Sequence, residues 1–312
     1  MPTNPFDSST WLLVLNPVSG RGAGLRDRSR IEAALESVGI RFRSVVSDYH
    51  GHTIQLVAEA IGNGCLRILV AGGDGSLNEA VNGIFQQATV PPGELRIALL
   101  PVGTGNDWAR AHGLPHDYGQ AAHVIAAGTT QAQDVGRIDL EGTHSRRWFV
   151  NVAGMGFDAG VIQRMPDRRL GRLAYLIGLL RELLDYRPLP LTWQLGATEQ
   201  RADAFVLFAC IGRFCGGGML VAPGASFRDG RFHMVLIRHM GRLSVLRALP
   251  QLFDGTLASH PKVETWLTER IRFDAPPGTS IEADGELVGT APATFTLLPE
   301  ALRLVVPGGD LH

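Results

Sequence analysis

The turn Gly72-Gly73-Asp74-Gly75-Ser76 combines bare backbone amides with a carboxylate. It follows a short apolar run, residues 67–71, that predicts a buried strand, and it precedes residues 77–85, which predict a helix. Glycines let backbone N–H groups approach a phosphate, and a helix N-terminus attracts anions. Asp74 could sit beside a Mg²⁺ ion or its water shell. The turn therefore predicts a phosphate site, although an ordinary tight turn explains the glycines alone equally well.

Two familiar phosphate-binding motifs do not fit this turn. The dinucleotide fingerprint requires a third glycine three positions after its second, whereas Ser76, Leu77 and Asn78 follow Gly75 here. The Walker A loop and the protein kinases each require a lysine, and the sole lysine of the 312 residues, Lys262, stands in neither context. A cationic contact to phosphate must therefore come from arginine, a backbone amide, a helix dipole or a metal.

Composition narrows the class of protein. A net charge of −1, from 29 basic and 30 acidic side chains, argues against a nucleic-acid partner. Cys65, Cys210 and Cys215 lack paired spacing, which indicates reduced thiols in a cytoplasmic protein. The first ten residues lack the features of a signal peptide, and the longest apolar run, residues 173–180, is far shorter than the roughly 20 residues of a membrane span.

The first half of the chain alternates strands with helices. Strands are predicted at residues 11–15, 42–46, 67–71 and 96–100, and each ends in a loop rich in Gly, Ser, Thr, Asn or Asp. This rhythm predicts an α/β nucleotide-binding domain whose mostly parallel sheet carries helices on both faces. Because the carboxyl ends of parallel strands share one edge, the four polar loops should form a pocket there.

The second half changes character after about Asp134. Helices are predicted at residues 172–186 and 242–253. Short runs rich in Val, Phe, Ile and Leu recur at residues 148–153, 205–211, 231–237, 270–273, 294–298 and 302–306. These runs predict a mainly antiparallel β-sandwich domain with inserted helices. We therefore expect two domains, residues 1–133 and 134–312.

Two strings of residues resemble the signatures of a known family. Gly72 to Ser76 with Asn78-Glu79, followed by the string from Gly103 to Arg110, is similar to the diacylglycerol kinase catalytic-domain family, which includes the sphingosine and ceramide kinases. Phosphofructokinases and NAD kinases share the first string, whereas the second is more specific. The likeness covers nearly the whole chain, through Asn16-Pro17, Ser19-Gly20, residues 151–158, residues 216–223, Asp229-Gly230 and Asp284-Gly285-Glu286.

The resemblance implies an activity and a set of site residues. The activity is transfer of the γ-phosphoryl group of ATP to a lipid hydroxyl, in a cleft between the two domains. Serine stands at Ser47 and Ser76 where the family usually has threonine. The implied ATP contacts are Asn16, Ser19, Gly20, Arg21, Ser47, Gly72, Gly73, Asp74, Gly75, Ser76, Asn78, Glu79, Gly103, Thr104, Gly105, Asn106 and Asp107.

The resemblance also implies metal ligands and a base. Asp74, Asp107 and Asp134 would surround a hydrated Mg²⁺, because three converging carboxylates repel without a cation. The alternative is that Asp74 and Asp107 only cap the helices they precede. Asp284 would be the general base for the acceptor hydroxyl, with Glu286 as its partner or rival; without the family, Asp-Gly is simply a hairpin turn.

A second cation is implied near the start of a strand in the second half. Ser226, Asp229 and Arg231 match a family segment that holds a structural cation. Arg231 replaces a less charged residue of that segment. A single carboxylate would leave most of the six or more oxygen ligands of a hard cation to water and carbonyls.

Several partner questions stay open at the level of sequence. Six arginines between residues 163 and 187 flank leucines, which predicts peripheral contact with an anionic membrane, although an ordinary helix covering a sheet fits as well. A kinase of a soluble acceptor and a non-catalytic lipid-binding regulator are the alternative functions. No residue identifies the lipid, and a homodimer is one candidate oligomeric state.

Overall fold

The structure is a computed structural model that describes residues 6–103, 106–164, 187–195 and 198–308. It divides into two compact units, Met1–Gln133 with Glu300–His312, and Asp134–Pro299. This division differs from the predicted second domain, residues 134–312, at its C-terminal end. The reason is a strand pairing, because Arg303 and Leu304 lie in parallel register with Arg96 and Ile97 of the first unit.

The first unit is built on a parallel sheet whose central strands are buried on both faces, whereas the edge strand β2 is half-buried. The strand order is β17-β4-β3-β1-β2. Strands buried on both faces have nearly continuous apolar sequences, as in Leu12-Leu13-Val14. The strands are β1 (Trp11–Leu15), β2 (Phe42–Val46), β3 (Arg67–Gly72), β4 (Arg96–Pro101) and the last residues of β17 (Ala293–Val305).

Helices cover both faces of this sheet. The helices are α1 (Ser19–Arg26), α2 (Arg28–Ser37), α3 (His52–Gly62), α4 (Asp74–Gln86), α5 (Asp107–Ala111) and α6 (Tyr118–Ala127). Ile31 of α2 and Ile125 of α6 pack with Leu13 and Leu69 in one apolar core. Helices α3 and α4 pack against each other and lie on the opposite face.

Helix α4 begins three residues earlier than the sequence pattern predicts. Its first residue is Asp74, and the amide of Leu77 donates to the carbonyl of Gly73 over 3.0 Å. The apolar periodicity starts only at Leu77, but a carboxylate in the first turn favours the positive end of the helix. Asp74, Gly75 and Ser76 therefore form the first turn of α4.

The second unit is mainly antiparallel. Phe149, Phe232, Phe273 and Phe295 pack in its largest apolar core. The strands are β5 (Thr130–Leu140), β6 (Ser145–Phe149), β7 (Val152–Gly156), β8 (Leu189–Leu195), β9 (Thr198–Cys210), β10 (Phe214–Cys215), β11 (Met219–Leu220), β12 (Phe232–Arg238), β13 (Val263–Thr268), β14 (Arg270–Asp274), β15 (Ser280–Ala283), β16 (Glu286–Thr290) and most of β17.

The described helices of this unit are short. They are α7 (Phe157–Arg164), α8 (Arg242–Ala248) and α9 (Gln251–Asp254). The helix predicted at residues 242–253 is divided into α8 and α9, because Pro250 has no N–H to continue the first helix. The helix predicted at residues 172–186 lies outside the described residues. None of the helices in the described part of the chain has the length and apolar character needed to span a bilayer.

Candidate functional site

A crevice forms in the first unit where β1 and β3 lie side by side. The chain leaves β1 into α1 and α2 on one face of the sheet and leaves β3 into α4 on the other. The two loops therefore diverge from neighbouring strands. Ligands of open α/β sheets bind outside the carboxyl ends of the strands at such a switch point.

Three predicted site residues meet at this crevice. The Asn16 amide nitrogen donates to the Ser76 hydroxyl over 2.8 Å, and the Ser19 hydroxyl lies 3.4 Å from it. Gly72 lies beneath this cluster, since a Cβ on it would stand 2.5 Å from the Ser76 hydroxyl. The loop after β1 is thus joined by side chains to the first turn of α4, whose leading N–H groups have no helical acceptor.

The loop after β1 also touches the loop after β4. The loop after β1 extends into the bounds of α1, because Gly20, Arg21 and Gly22 have left-handed rather than helical backbone, with φ of 58°, 59° and 86°. A Cβ on Gly20 would lie 3.0 Å from the amide nitrogen of Gly103, which itself has φ of 102°. Arg21 adopts this conformation without being glycine, which is a strained backbone of the kind found at functional sites. Thr104 and Gly105 lie outside the described residues.

Asp74 and Asp107 are neighbours in this unit. The Asp74 carboxylate accepts the backbone N–H groups of Asp107, over 2.9 Å, and of Trp108, over 3.1 Å. Asp74 therefore caps α5 and not α4, the helix that it begins and that the alternative interpretation had it cap. The Asp107 side chain is 5% exposed, and its carboxylate accepts from Arg110 over 2.9 Å. Asn106 is buried beside them, and its Nδ2 has no hydrogen-bond partner among the described residues.

These residues fit a Mg²⁺ ion shared with phosphate. Two adjacent carboxylates are donors that Mg²⁺ takes, and it fills its remaining positions with waters and phosphate oxygens. Within the described part of the chain no three acidic, histidine or cysteine side chains form a complete metal cage. Asp134 belongs to the second unit, where its carboxylate accepts the N–H of Gly230 over 2.8 Å. Its role as a third magnesium ligand stays a prediction.

Three other predicted ATP contacts make structural hydrogen bonds. The Glu79 carboxylate accepts the N–H groups of Gly51, over 2.9 Å, and Thr53, over 3.2 Å, at the start of α3. Asn78 is buried and accepts from Asn82 on the next turn of α4. The amide of Ser47 donates to the Leu15 carbonyl over 3.0 Å. These contacts hold the loops around the crevice.

The Asp284-Gly285 pair forms the hairpin turn between β15 and β16. Both residues have positive φ, 50° and 84°, as the Asp-Gly turn predicts. The Asp284 carboxylate accepts backbone N–H groups of Val150 over 2.9 Å, Asn151 over 3.0 Å and Val152 over 3.2 Å. Three amides therefore fix this carboxylate. Glu286 follows as the first residue of β16 and is half-buried.

Glu282 is a buried carboxylate that sequence reasoning missed. It is 3% exposed and accepts the N–H of Gly285 over 3.0 Å. Burial, and after it the charge of Glu282, raises the pKa of the Cys210 thiol, so this cysteine is inert. The alternation of β15 gave no signal for this, because Ile281 and Ala283 point to the face opposite to Glu282 and the pattern indicates a solvent-facing carboxylate.

The residues predicted to hold a second cation include one half-buried carboxylate, Asp229. Ser226 and Arg231 are exposed. The Asp229 carboxylate faces two nitrogen groups, the N–H of Arg231 at 3.1 Å and the His233 ring at 2.6 Å. The contacts make Asp229 the partner of His233, four residues further along. The role of Ser226, Asp229 and Arg231 as cation ligands stays a prediction.

A buried histidine belongs to the hydrogen bonds around the second signature string, Gly103 to Arg110. His112 is 1% exposed, and its Nε2 lies 3.2 Å from the Gln133 side-chain oxygen, which also accepts from Trp108 Nε1 over 3.1 Å. Burial lowers the pKa of His112 to about 3, so the ring is neutral at physiological pH. Gln133 thereby joins α5 to the start of β5. Sequence reasoning assigned His112 no role.

The second unit contains an apolar cavity of about 50 Å³ beneath α8 and α9. Phe157, Phe205, Phe208, Met240, Val245 and Leu252 line it. Leu243 and Phe253, on the same two helices, are 70% and 61% exposed. The lining is apolar, but the volume is far below the roughly 300–1,000 Å³ of ordinary ligand pockets, so the cavity as it stands does not hold a lipid chain.

Comparison with known proteins gives the family. Residues 10–138 match the diacylglycerol kinase catalytic domain, and residues 151–306 match the YegS C-terminal NAD kinase beta sandwich-like domain. A Mycobacterium tuberculosis protein named diacylglycerol kinase is 32% identical over 297 residues, covering 94% of this chain and 93% of that protein. A probable lipid kinase YegS-like from Chromohalobacter salexigens is 29% identical over 310 residues, covering 97% and 95%.

The solved structures agree in fold. A putative diacylglycerol kinase from Bacillus anthracis superposes with a TM-score of 0.79 at 19% identity, covering 99% of this chain and 98% of that one. The predicted fold class, an α/β domain followed by an antiparallel β-sandwich domain, is confirmed. The two matched domains together define a class of kinase, in which a diacylglycerol kinase catalytic domain is followed by a YegS-type β-sandwich domain. The chain belongs to the family of diacylglycerol kinases and YegS-like lipid kinases, and the predicted resemblance is confirmed.

Proposed function

We propose that the protein is an ATP-dependent lipid kinase that transfers the γ-phosphoryl group of ATP to the hydroxyl of diacylglycerol or a related lipid. The observation that carries the proposal is the crevice between β1 and β3. There the Asn16, Ser19 and Ser76 cluster adjoins the first turn of α4, which also bears Asp74, the carboxylate beside Asp107.

The donor side works by positioning and charge. Phosphoryl transfer involves little covalent chemistry for the protein, so orientation and electrostatic stabilisation dominate. The leading amides of α4 bind phosphate oxygens, and Arg21 supplies the nearest cationic side chain of the loop after β1. Mg²⁺, held by Asp74 and Asp107 with Asp134 as a further ligand, would neutralise the charge that develops on the phosphates.

The acceptor side requires a base and an apolar surface. As the bond to phosphorus forms, the lipid hydroxyl loses its proton to a carboxylate within hydrogen-bond reach. Asp284 has that role in this proposal because three amides fix its position, and Glu286 is the second candidate. The apolar side chains that α8 and α9 expose, Leu243 and Phe253, support a lipid as the acceptor, since they favour contact with hydrocarbon. A lipid acceptor calls for a cytoplasmic protein in reversible, peripheral contact with a membrane.

The direct test is transfer of label. The protein is incubated with γ-labelled ATP, Mg²⁺ and separate mixed micelles of diacylglycerol, a sphingoid base or phosphatidylglycerol, with glycerol and NAD as soluble acceptors. We expect label in one lipid, no label in the soluble acceptors, and no transfer when Mg²⁺ is chelated. Labelling of a soluble acceptor alone, or ATP binding without transfer to any lipid, would contradict the proposal.

A further inference from the structure

A row of cationic side chains crosses the sheet of the first unit at the amino ends of β1, β3 and β4. The register pairs Leu12 with Ile68, which puts Trp11 beside Arg67. It pairs Arg67 with Arg96 and Arg96 with Arg303. Neighbouring strands are about 4.8 Å apart, so three arginines stand side by side on one face. The predicted phosphoryl-transfer residues lie at the opposite ends of these strands.

An open cavity of about 500 Å³ adjoins part of this row. Arg67, Arg96, Arg41 and Trp11 line it, together with the backbone around Gly39 and Gly128. Its volume falls within the roughly 300–1,000 Å³ of ordinary ligand pockets. Arg303, the last member of the row, lies outside the lining.

The charges of Arg67 and Arg96, the two arginines of the row that line the cavity, are not neutralised by the described part of the protein. Among the described residues, neither the Arg67 guanidinium nor the Arg96 guanidinium forms an ion pair or donates a hydrogen bond; the Arg96 backbone N–H donates to the Leu66 carbonyl over 3.0 Å. The Arg67 guanidinium lies 5.8 Å from the centre of the Trp11 ring, which braces it over an aromatic face. Arg41 differs, because it pairs with Asp7 at 2.9 Å.

This arrangement is unfavourable without a ligand. Like charges directly opposite each other on neighbouring strands destabilise a sheet. A multivalent anion between Arg67 and Arg96 would turn that repulsion into attraction, and the planar guanidinium fork matches two oxygens of one phosphate.

We propose that this cavity binds a multivalent phosphate anion, either a pyrophosphate-like group or a phosphate monoester, held by Arg67 and Arg96. Trp11 keeps the Arg67 guanidinium in place, and Arg41 adds charge at the rim. The anion comes from one of two sources with the same chemistry, a free phosphate compound or the headgroup of a lipid phosphate. The site is separate from the β1–β3 crevice and does not depend on the proposed kinase activity.

The test uses charge-removing variants with a matched control. Pyrophosphate is titrated calorimetrically into the full-length protein, into Arg67→Gln, into Arg96→Gln and into Arg303→Gln. Arg303→Gln removes the same charge from the same row, but Arg303 lies outside the cavity and donates to the Gly93 carbonyl over 3.1 Å. Pyrophosphate that binds in the β1–β3 crevice contributes equally to all four titrations.

We expect one binding event to weaken at least roughly tenfold in Arg67→Gln and in Arg96→Gln, the equivalent of one charge-assisted hydrogen bond, and to persist in Arg303→Gln. Arg67→Lys keeps the charge and the fold if Arg67→Gln does not fold, and it should still weaken binding because the fork is lost. Phosphatidylcholine vesicles with and without phosphatidic acid form the second arm. Binding that is lost in Arg67→Gln and Arg96→Gln supports the site. Loss of pyrophosphate binding indicates a free phosphate compound as the source, and loss of binding to phosphatidic acid vesicles indicates a lipid headgroup.

The opposite result would be that these arginines stabilise the fold and do not bind phosphate. Ala126 and Ala127, at the C-terminal end of α6, also line the cavity, and arginines near a helix C-terminus can serve the helix dipole alone. In that case the cavity variants would lower the free energy of unfolding and bind pyrophosphate as tightly as Arg303→Gln does. Equal affinity in the three Gln variants overturns the proposal.

Discussion

Asp74 combines a structural contact with a proposed catalytic one. Its carboxylate caps α5 through the amides of Asp107 and Trp108, and it adjoins the phosphate crevice. Helix capping, of α5 rather than α4, and magnesium binding are therefore compatible. They predict different consequences, because a lost cap changes stability and a lost magnesium ligand changes turnover.

We expect Asp74→Ala to abolish phosphoryl transfer and to lower the free energy of unfolding by about 0.5–2 kcal/mol, the usual effect of losing a helix cap. Asp117→Ala is the matched control, since Asp117 caps α6 by accepting the N–H of Gln120 over 2.9 Å. It should lose similar stability and keep its turnover. Urea unfolding and kcat with Mg²⁺ measure both quantities; an Asp74→Ala protein with most of its activity would remove Asp74 from the mechanism.

Asp284 is held more firmly than a hairpin turn requires. The general-base role predicts that Asp284→Asn lowers kcat by roughly 10²–10⁴ while ATP affinity changes little. The variant should also lose stability, because an amide nitrogen cannot accept the N–H groups of Val150, Asn151 or Val152. Glu286→Gln is measured beside it in the same kinetic assay. If Glu286→Gln alone loses activity, the two roles are exchanged.

At the scale of elements, the loop after β2 depends on a side chain from α4. Glu79 accepts the amides that begin α3, so it links the second and third strand-end loops. The sequence motif predicts Glu79 as an ATP contact, but a motif cannot show which way a helical side chain faces. That direction follows from the packing of α3 on α4, which only tertiary structure fixes.

We expect Glu79→Ala to lower the free energy of unfolding by about 0.5–2 kcal/mol, because two amides at the start of α3 lose their acceptor. ATP affinity should fall less than stability does, since the carboxylate is turned toward α3. Denaturant unfolding and an ATP titration at a temperature where the variant is folded provide the comparison. Glu59→Ala, on an exposed turn of the same α3, is the control. Lost ATP binding with unchanged stability would make Glu79 a direct ligand.

The sequence predicted the elements around the crevice better than those around the apolar cavity beneath α8 and α9. Strands β1 to β4 follow from apolar runs ending in polar loops, and Asn16, Ser19 and Ser76 meet because their strands are neighbours. The division of α8 from α9 at Pro250 was missed, since the apolar spacing continues past the proline. Glu282 and His112 escaped notice because burial of a polar residue depends on partners distant in the chain, Gly285 and Gln133.

At the scale of the whole molecule, stability should depend on the protonation of His112. Its pKa is about 3 in the fold because the ring is buried, whereas the ordinary value is 6.5. Below about pH 6.5 the His112 ring therefore binds a proton in the unfolded chain but stays neutral in the folded chain. Stability is fully present above that pH and falls as pH drops toward about 3, by up to about 1.4 kcal/mol per pH unit.

We expect His112→Gln, which can still donate to the Gln133 oxygen, to show a flatter dependence of unfolding free energy on pH between about 6 and 4. Urea titrations followed by tryptophan fluorescence at several pH values measure the slope. Carboxylates with lowered pKa, such as Glu32, contribute equally to both proteins and cancel in the difference. Identical slopes would mean that another group controls acid unfolding.

Access to a membrane is the last property of the whole protein that the proposed function demands. The arginine-rich segment predicted to meet anionic lipid lies almost wholly outside the described residues. A second surface is visible on α8 and α9, where Leu243 and Phe253 are exposed, while Val245 and Leu252 of the same helices line the apolar cavity. Arg242 and Arg247 lie on α8 as well. Apolar side chains beside basic ones are typical of segments that rest on a bilayer.

We expect the protein to bind vesicles reversibly, more tightly when they contain anionic lipid, and less tightly as salt shortens the Debye length below its physiological value of about 8 Å. The double variant Leu243→Ser with Phe253→Ser should weaken binding at least tenfold, since burying one such side chain contributes about 1.5–3 kcal/mol. Leu267→Ser with Leu287→Ser removes two exposed leucines from β13 and β16 and should bind as the unchanged protein does. Sedimentation with vesicles measures binding, and a short-chain, water-soluble acceptor checks that both variants keep their turnover. Equal binding by the two double variants would assign the membrane contact to another surface.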